Sequence, residues 1–177
     1  KRRDNAPIVK YVFGNIIEII MNQKSVDKAI EWLDRTLRKI KDGKMPLSMF
    51  VVSKSLRGYY KNPDSVAHKV LADRMAERNP GNKPKPNDRI PYAYFKLPKE
   101  VLYDFDNRYK SGARKGQPRE RKVLQGDRVE HPDFINQKNL KIDYEFYISN
   151  QIMNPVKQVL DLEKSEKETS DFFSQFI

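Results

Sequence analysis

Val51 to Gly81, VVSKSLRGYYKNPDSVAHKVLADRMAERNPG, is the stretch from which the rest of the chain is read. It opens on the β-branched pair Val51 and Val52 and turns basic at Lys54 and Arg57, the pattern of a short strand that delivers cations to its far end. Asn62-Pro63-Asp64 makes a turn. Beyond it Val66, Val70 and Leu71 recur at i, i+4 and i+5 with Met75 following, while His68, Lys69, Asp73, Arg74, Glu77 and Arg78 take other faces. This spacing predicts an amphipathic helix that stops at Gly81. A strand tip and a helix face that both offer cations, joined by a turn bearing Tyr60, suit a phosphate backbone better than a small substrate.

Upstream, Ile8, Val9, Val12, Phe13, Ile16, Ile17, Ile19 and Ile20 lie on a broad helical stripe with Asp4 or Asn5 as cap and Pro7 in the first turn. Ser25 caps a second helix whose face is Ile30, Leu33, Leu37 and Ile40, with Glu31 and Arg35 as an i,i+4 pair and Gly43 as the stop. The two predict a helical hairpin, with Trp32 at the edge of its core. Downstream, the prolines of Lys83-Pro84-Lys85-Pro86 predict a stiff extended loop, and Asp88 to Leu97 alternates as a strand. In that strand Ile90, Tyr92 and Tyr94 share one side, and Pro91 favours an edge position.

Between Arg108 and Arg128 stand eight basic and two acidic residues with three glycines and little periodicity, which predicts a long basic loop. Its expectation stays open between a solvated insertion and direct contact with a polyanion. Arg128 to Asp133 closes it in a turn. Lys141 to Met153 predicts a helix broken at Pro155, with a short last turn to Leu162. Residues 161 to 177 then carry five acids and two lysines, so the remainder of the chain holds +14. This acidic end, closing on Phe172, Phe173 and Phe176, predicts an unfolded docking peptide.

Composition narrows the function. In 177 residues there are 35 Lys and Arg against 24 Asp and Glu, a net charge of +11 that calls for a polyanionic partner. Cysteine is absent, which excludes disulfides, thiolate zinc sites and thiol catalysis. No apolar run reaches the ~18 residues of a membrane span, so no membrane partner is expected and an intracellular location is. The chain begins at Lys1, not Met, and a piece of a longer protein is expected. No Gly-rich phosphate loop, nucleophile elbow or Ser/His/Asp arrangement occurs. Asp104-Phe105-Asp106 reads as a turn cap, and His68 and His131 stand in separate elements, so neither a catalytic residue nor a metal ligand is expected.

Four ordered matches carry a resemblance. Ser53-Lys54-Ser55-Leu56, Tyr60, Asn62-Pro63 and His68 to Met75 are similar to the Ser/Thr-Lys-x-Leu, Tyr-x-Asn-Pro and His-x-x-Leu-Ala-x-Arg-Met run in the thumb of family B DNA polymerases, in the delta-like branch and its relatives in large DNA viruses. Lys1-Arg2-Arg3-Asp4 resembles the palm-to-thumb junction. Tyr144 to Pro155 resembles the Tyr-x-x-Asn-Gln-x-x-x-Pro run near the end of the thumb, and Asp88 to Tyr92 falls in order between them.

The resemblance implies an α+β fold, a mainly helical thumb with a small antiparallel sheet and a long basic loop. It spans residues 1 to 162, with 1 to 6 as the junction and 163 to 177 as the tail. Its implied function is to hold the primer–template duplex through phosphates and minor groove during replication. The residues implied for DNA binding are Arg2, Arg3, Lys54, Arg57, Tyr60, His68, Arg74, Arg89, Asn150 and Gln151. Catalytic carboxylates and Mg2+ would sit in a palm domain preceding Lys1, leaving this piece inactive alone. Implied partners are duplex DNA, the palm and, through Phe172, Phe173 and Phe176, a sliding clamp. The implied place is the nucleus or a viral replication compartment. The alternative reading is a stand-alone basic nucleic-acid-binding module or clamp adapter.

Overall fold

The apolar stripe after Pro7 folds as expected into helix α1 (Pro7–Gln23), which buries Ile8, Val9, Val12 and Ile16 in a computed structural model that describes residues 5–177. Arg2, Arg3 and Asp4 lie outside the described residues. Asn5 does not cap α1: Ala6 holds the cap position without a side-chain bond, and Pro7 removes one donor that would need a partner. Helix α2 (Val26–Lys41) begins at Ser25, whose Oγ accepts from Lys28 N at 3.2 Å. Its buried face is Val26, Ala29, Leu33, Thr36, Leu37 and Ile40, with Ile30 at the margin. Leu33, Leu37 and Ile40 have no exposed surface, and each contributes roughly 2 kcal/mol by leaving water. Asp34 and Arg38 form the i,i+4 pair on this helix. Trp32 is half-buried with its ring 5.8 Å from that of Tyr11, the core-edge position expected.

The chain divides into two compact units, one running to Val52 and resuming at Asp143–Ile177, the other Ser53–Ile142. In the first, Phe50 ends a 3-10 turn (Leu47–Phe50) and accepts through its carbonyl from Tyr147 Oη at 2.6 Å. The helical run after Asp143 comprises α6 (Tyr144–Phe146), a π-helical segment (Tyr147–Ile152) and α7 (Met153–Leu160). Pro155 therefore does not break it. In a regular α-helix the Pro155 ring would meet the Gln151 carbonyl, and the wider π turn before it gives that carbonyl room.

The acidic end is not an unfolded spacer. Ser165 caps α8 (Glu166–Ser174), accepting from Glu168 N at 3.1 Å. Phe173 and Phe176 are buried. Lys164 pairs with Asp27 at 2.9 Å, Thr169 Oγ1 donates to Asp161 at 2.7 Å, and Arg38 lies 5.6 Å from the Phe176 ring centre.

The second unit holds β1 (Val52–Ser55) from Ser53 on, α3 (Ala67–Arg78), β2 (Arg89–Tyr94), α4 (Lys99–Leu102), β3 (Tyr103–Arg108), β4 (Pro118–Glu120), β5 (Val129–Glu130) and α5 (Pro132–Lys138). The three-stranded sheet has the order β1-β2-β5, so β2 is central and Pro91 is not on an edge strand. On the β5 side the paired residues are Ala93 and Tyr94, so Pro91 lies outside that ladder and its missing N–H costs it no bond there. Both faces of β2 are covered, since Ala93 is buried along with Ile90, Tyr92 and Tyr94. The expected basic loop is largely a two-stranded hairpin, β3 with β4, pairing Tyr103 with Glu120 and Asp104 with Arg119. The result is the expected α+β class, helical with small antiparallel sheets.

Gly126 brings a 3-10 turn (Gln125–Arg128) against α3. A Cβ there would lie 2.3 Å from Val70 Cβ, so only glycine fits.

Candidate nucleic-acid interface

Charge is unevenly divided between the units. Ser53–Ile142 contains 21 Lys and Arg against 11 Asp and Glu, a net +10, which leaves +1 for the rest of the chain. A polyanion is drawn to the second unit.

At the end of β1, Ser53 and Ser55 flank the half-buried Lys54 and hold Arg89 of β2. Arg89 Nε donates to Ser53 Oγ at 3.1 Å, Nη1 to Ser55 Oγ at 3.2 Å and Nη2 to the Ser53 carbonyl at 2.7 Å. Arg89 remains exposed, and among the described residues its guanidinium is oriented by the serines and not by a carboxylate. The two serines stand in the Ser53-Lys54-Ser55-Leu56 motif with no role assigned to either, although their alternation around Lys54 puts both on one side of the strand.

Next to this edge, Arg57 N donates to Tyr60 Oη at 2.9 Å, and Tyr60 Oη lies 3.0 Å from His68 Nε2. The same nitrogen lies 3.2 Å from the Ser55 carbonyl. His68 thereby ties the turn and α3 to β1. Burial holds its pKa below the ordinary 6.5, and the charges of Lys54 and Arg57 push it lower against the raising effect of the Ser55 carbonyl. The expectation that His68 lies on an open cationic helix face is corrected: it is 9% exposed and braces the strand tip.

Arg74 is corrected in the same way. Its Nη1 donates to the Gly126 carbonyl at 2.9 Å, its Nη2 donates to the Val129 carbonyl, and Nη2 lies 3.4 Å from Glu130. Arg78 reaches both Glu130 oxygens at 2.9 Å and stacks 3.9 Å from the Phe134 ring centre. The Glu130 side chain is only 7% exposed, so the two arginines compensate a buried carboxylate. Arg74 is therefore held by acceptors of its own chain and is not offered on an open helix face.

Asn150 and Gln151 belong to the first unit. Gln151 Oε1 accepts from Ala6 N at 3.1 Å, tying the π segment to the start of α1. Asn150 is exposed and accepts from Ser149 Oγ at 2.9 Å. Both line an open groove of about 990 Å³ with Pro7, Val9 and Lys10. Phe172 is half-buried beside the buried Phe173 and Phe176.

Asp104 and Asp106 lie on β3. Asp104 Oδ1 accepts from Asp106 N at 3.2 Å and faces Arg121 at 3.6 Å. Among the described residues no three His, Asp or Glu gather where they could hold a metal ion. No helix of the described residues is long and apolar enough to cross a membrane.

A family model described as DNA polymerase family B matches residues 1–162. The chain is 45% identical over 177 residues to a DNA polymerase of Acanthamoeba polyphaga mimivirus, covering all of this chain and 9% of that protein. It is 44% identical over 162 residues to a DNA polymerase of Pyramimonas orientalis virus, covering 92% and 12%. To the DNA polymerase delta catalytic subunit of Caenorhabditis elegans it is 28% identical over 162 residues, covering 90% and 13%. The chain thus spans about a tenth of the length of these relatives. Its fold is similar to part of the family B DNA polymerase of the archaeon Pyrobaculum calidifontis, with a TM-score of 0.63 and 17% identity over 92% of this chain and 18% of that one.

Proposed function

The chain belongs to DNA polymerase family B, and we propose that it is the thumb of a delta-like replicative polymerase of viral type, whose second unit holds the primer–template duplex. The observation that carries this reading is the concentration of +10 in Ser53–Ile142 beside an exposed, serine-held Arg89. Newly made duplex has any sequence, so a polymerase must grip features shared by all base pairs, above all the phosphates. Lys54, Arg57 and Arg89 are the cations that serve this; Tyr60 and His68 brace them. Nucleotidyl transfer needs a cluster of carboxylates around divalent cations. That chemistry and its Mg2+ belong to the palm of the whole enzyme, which is the second partner. Such an enzyme works where its template is, in the nucleus or a viral replication compartment. A sliding clamp would have to draw Phe173 and Phe176 out of their packing, and the duplex reading is preferred for that reason.

The test is duplex affinity against salt. With about five phosphate contacts, log affinity falls against log salt with a slope of about −0.9 per contact, and Lys54→Ala makes the slope shallower by ~1 at every sequence. Arg74→Ala lowers the melting temperature and leaves the slope unchanged. Duplex affinity independent of salt overturns the proposal.

A further inference from the structure

Residues 105 to 117 are exposed on the β3–β4 hairpin, apart from the half-buried Tyr109. A two-stranded ribbon covered on neither face buries little and is at best marginal in water by itself. This one is nevertheless held in shape by its own backbone. Tyr109 N donates to the Gln117 carbonyl at 3.0 Å, Gly116 N to the Tyr109 carbonyl at 3.0 Å and Gln117 N to the Arg114 carbonyl at 2.9 Å. Gly112 and Gly116, at φ of 85° and 86°, make the turns these bonds need.

Two of the hairpin's three acids face arginines across it, Asp104 facing Arg121 at 3.6 Å and Glu120 facing Arg114 at 3.9 Å, while the third, Asp106, is exposed on β3 outside the tip. The tip between Tyr109 and Gln117 has Lys110, Arg114 and Lys115 and no acid. Its one aromatic, Tyr109, already lies under Arg114 and Arg119, 5.8 and 4.8 Å from the ring centre. That ring therefore offers no platform at the tip for the base stacking by which single strands are usually held; the exposed ring of the hairpin, Phe105 at 42%, lies outside the tip on β3, 6.4 Å from the Tyr103 ring. Cations preorganised on a narrow ribbon suit phosphates lining a duplex groove.

Resting on the duplex-holding reading above, we infer that the hairpin tip is a second anchoring site for double-stranded DNA, with Lys110, Arg114 and Lys115 on phosphates. It acts in addition to the Lys54–Arg89 edge and makes the grip longer along the duplex without adding sequence preference.

Fluorescence anisotropy with a labelled 20-base-pair duplex, and with one of its strands alone, tests this on the 177-residue chain. Lys110→Ala/Arg114→Ala/Lys115→Ala is expected to make the salt slope shallower by about 3 and to weaken duplex binding ~10-fold or more. Its far-ultraviolet circular dichroism and melting curve should match the parent's, because the three side chains are exposed. Lys110→Arg/Lys115→Arg is expected to keep both slope and affinity. A triple variant that binds duplex like the parent overturns the inference and leaves the Lys54–Arg89 edge standing. Tighter binding of the single strand than of the duplex overturns the double-stranded assignment. A parent chain that binds duplex without salt dependence sinks both readings together.

Discussion

Arg74 and Arg89 carry the same guanidinium, yet one faces inward and the other lies on the surface. Arg74 is claimed by the buried Glu130 and by the carbonyls of Gly126 and Val129, all more than fifty positions away. Nothing in its own helix announces that claim, which is why helical spacing alone put it on an open face. Among the described residues Arg89 has two serines as neighbours across the strands and no carboxylate, so it stays available. His68 shows how the site responds to protons. Its pKa is lowered on folding, so the unfolded chain takes up the proton more readily than the folded one. The stability it contributes is complete above the ordinary value of 6.5 and is lost as pH falls below it. In a nuclear magnetic resonance titration the His68 ring should show a midpoint under 6.5, and His68→Gln should melt with a weaker pH dependence between pH ~7.5 and ~5.5. A midpoint at or above 6.5 would contradict the buried, neutral bracing described for it.

The elements that periodicity found are the helices buried on one side. In α1 and α2 the apolar residues repeat at helical spacing because each packs one stripe against the core. The β3–β4 hairpin gave no such pattern, since it is exposed on both faces and burial imposes no alternation. Helix α8 did have a signal that acidity masked: Ser165 followed by Glu168, a capping pair, and Phe173 with Phe176 one turn apart. The site was legible in its cations and illegible in the groups that orient them, because Ser53 and Ser55 carry no charge and meet Arg89 only through the sheet. Phe173 is 0% exposed, and Phe173→Ala is expected to cost about 3 kcal/mol or more in urea unfolding. A loss under ~0.5 kcal/mol would mean that α8 rests on the body without supporting it.

At the scale of the molecule, the first unit is nearly neutral and supplies apolar packing, while the second holds almost all the net charge. Binding should therefore leave its mark on one and not the other. Hydrogen exchange with and without duplex is expected to slow within residues 53–142, at β1, β2 and the hairpin tip, and to stay unchanged across α8. Equal protection around Asn150 and Gln151 would instead bring the first unit into the contact surface.

The order of the units along the chain has a mechanical consequence. The second unit is spliced into the first, entering at Ser53 and leaving at Ile142, while Gln151 fastens to Ala6 and Tyr147 to Phe50 within the first. Tension applied at the two ends of the polypeptide is carried across those fastenings and bypasses the spliced segment until they rupture. The charged half is a shunted loop that a pull along the chain cannot stretch first.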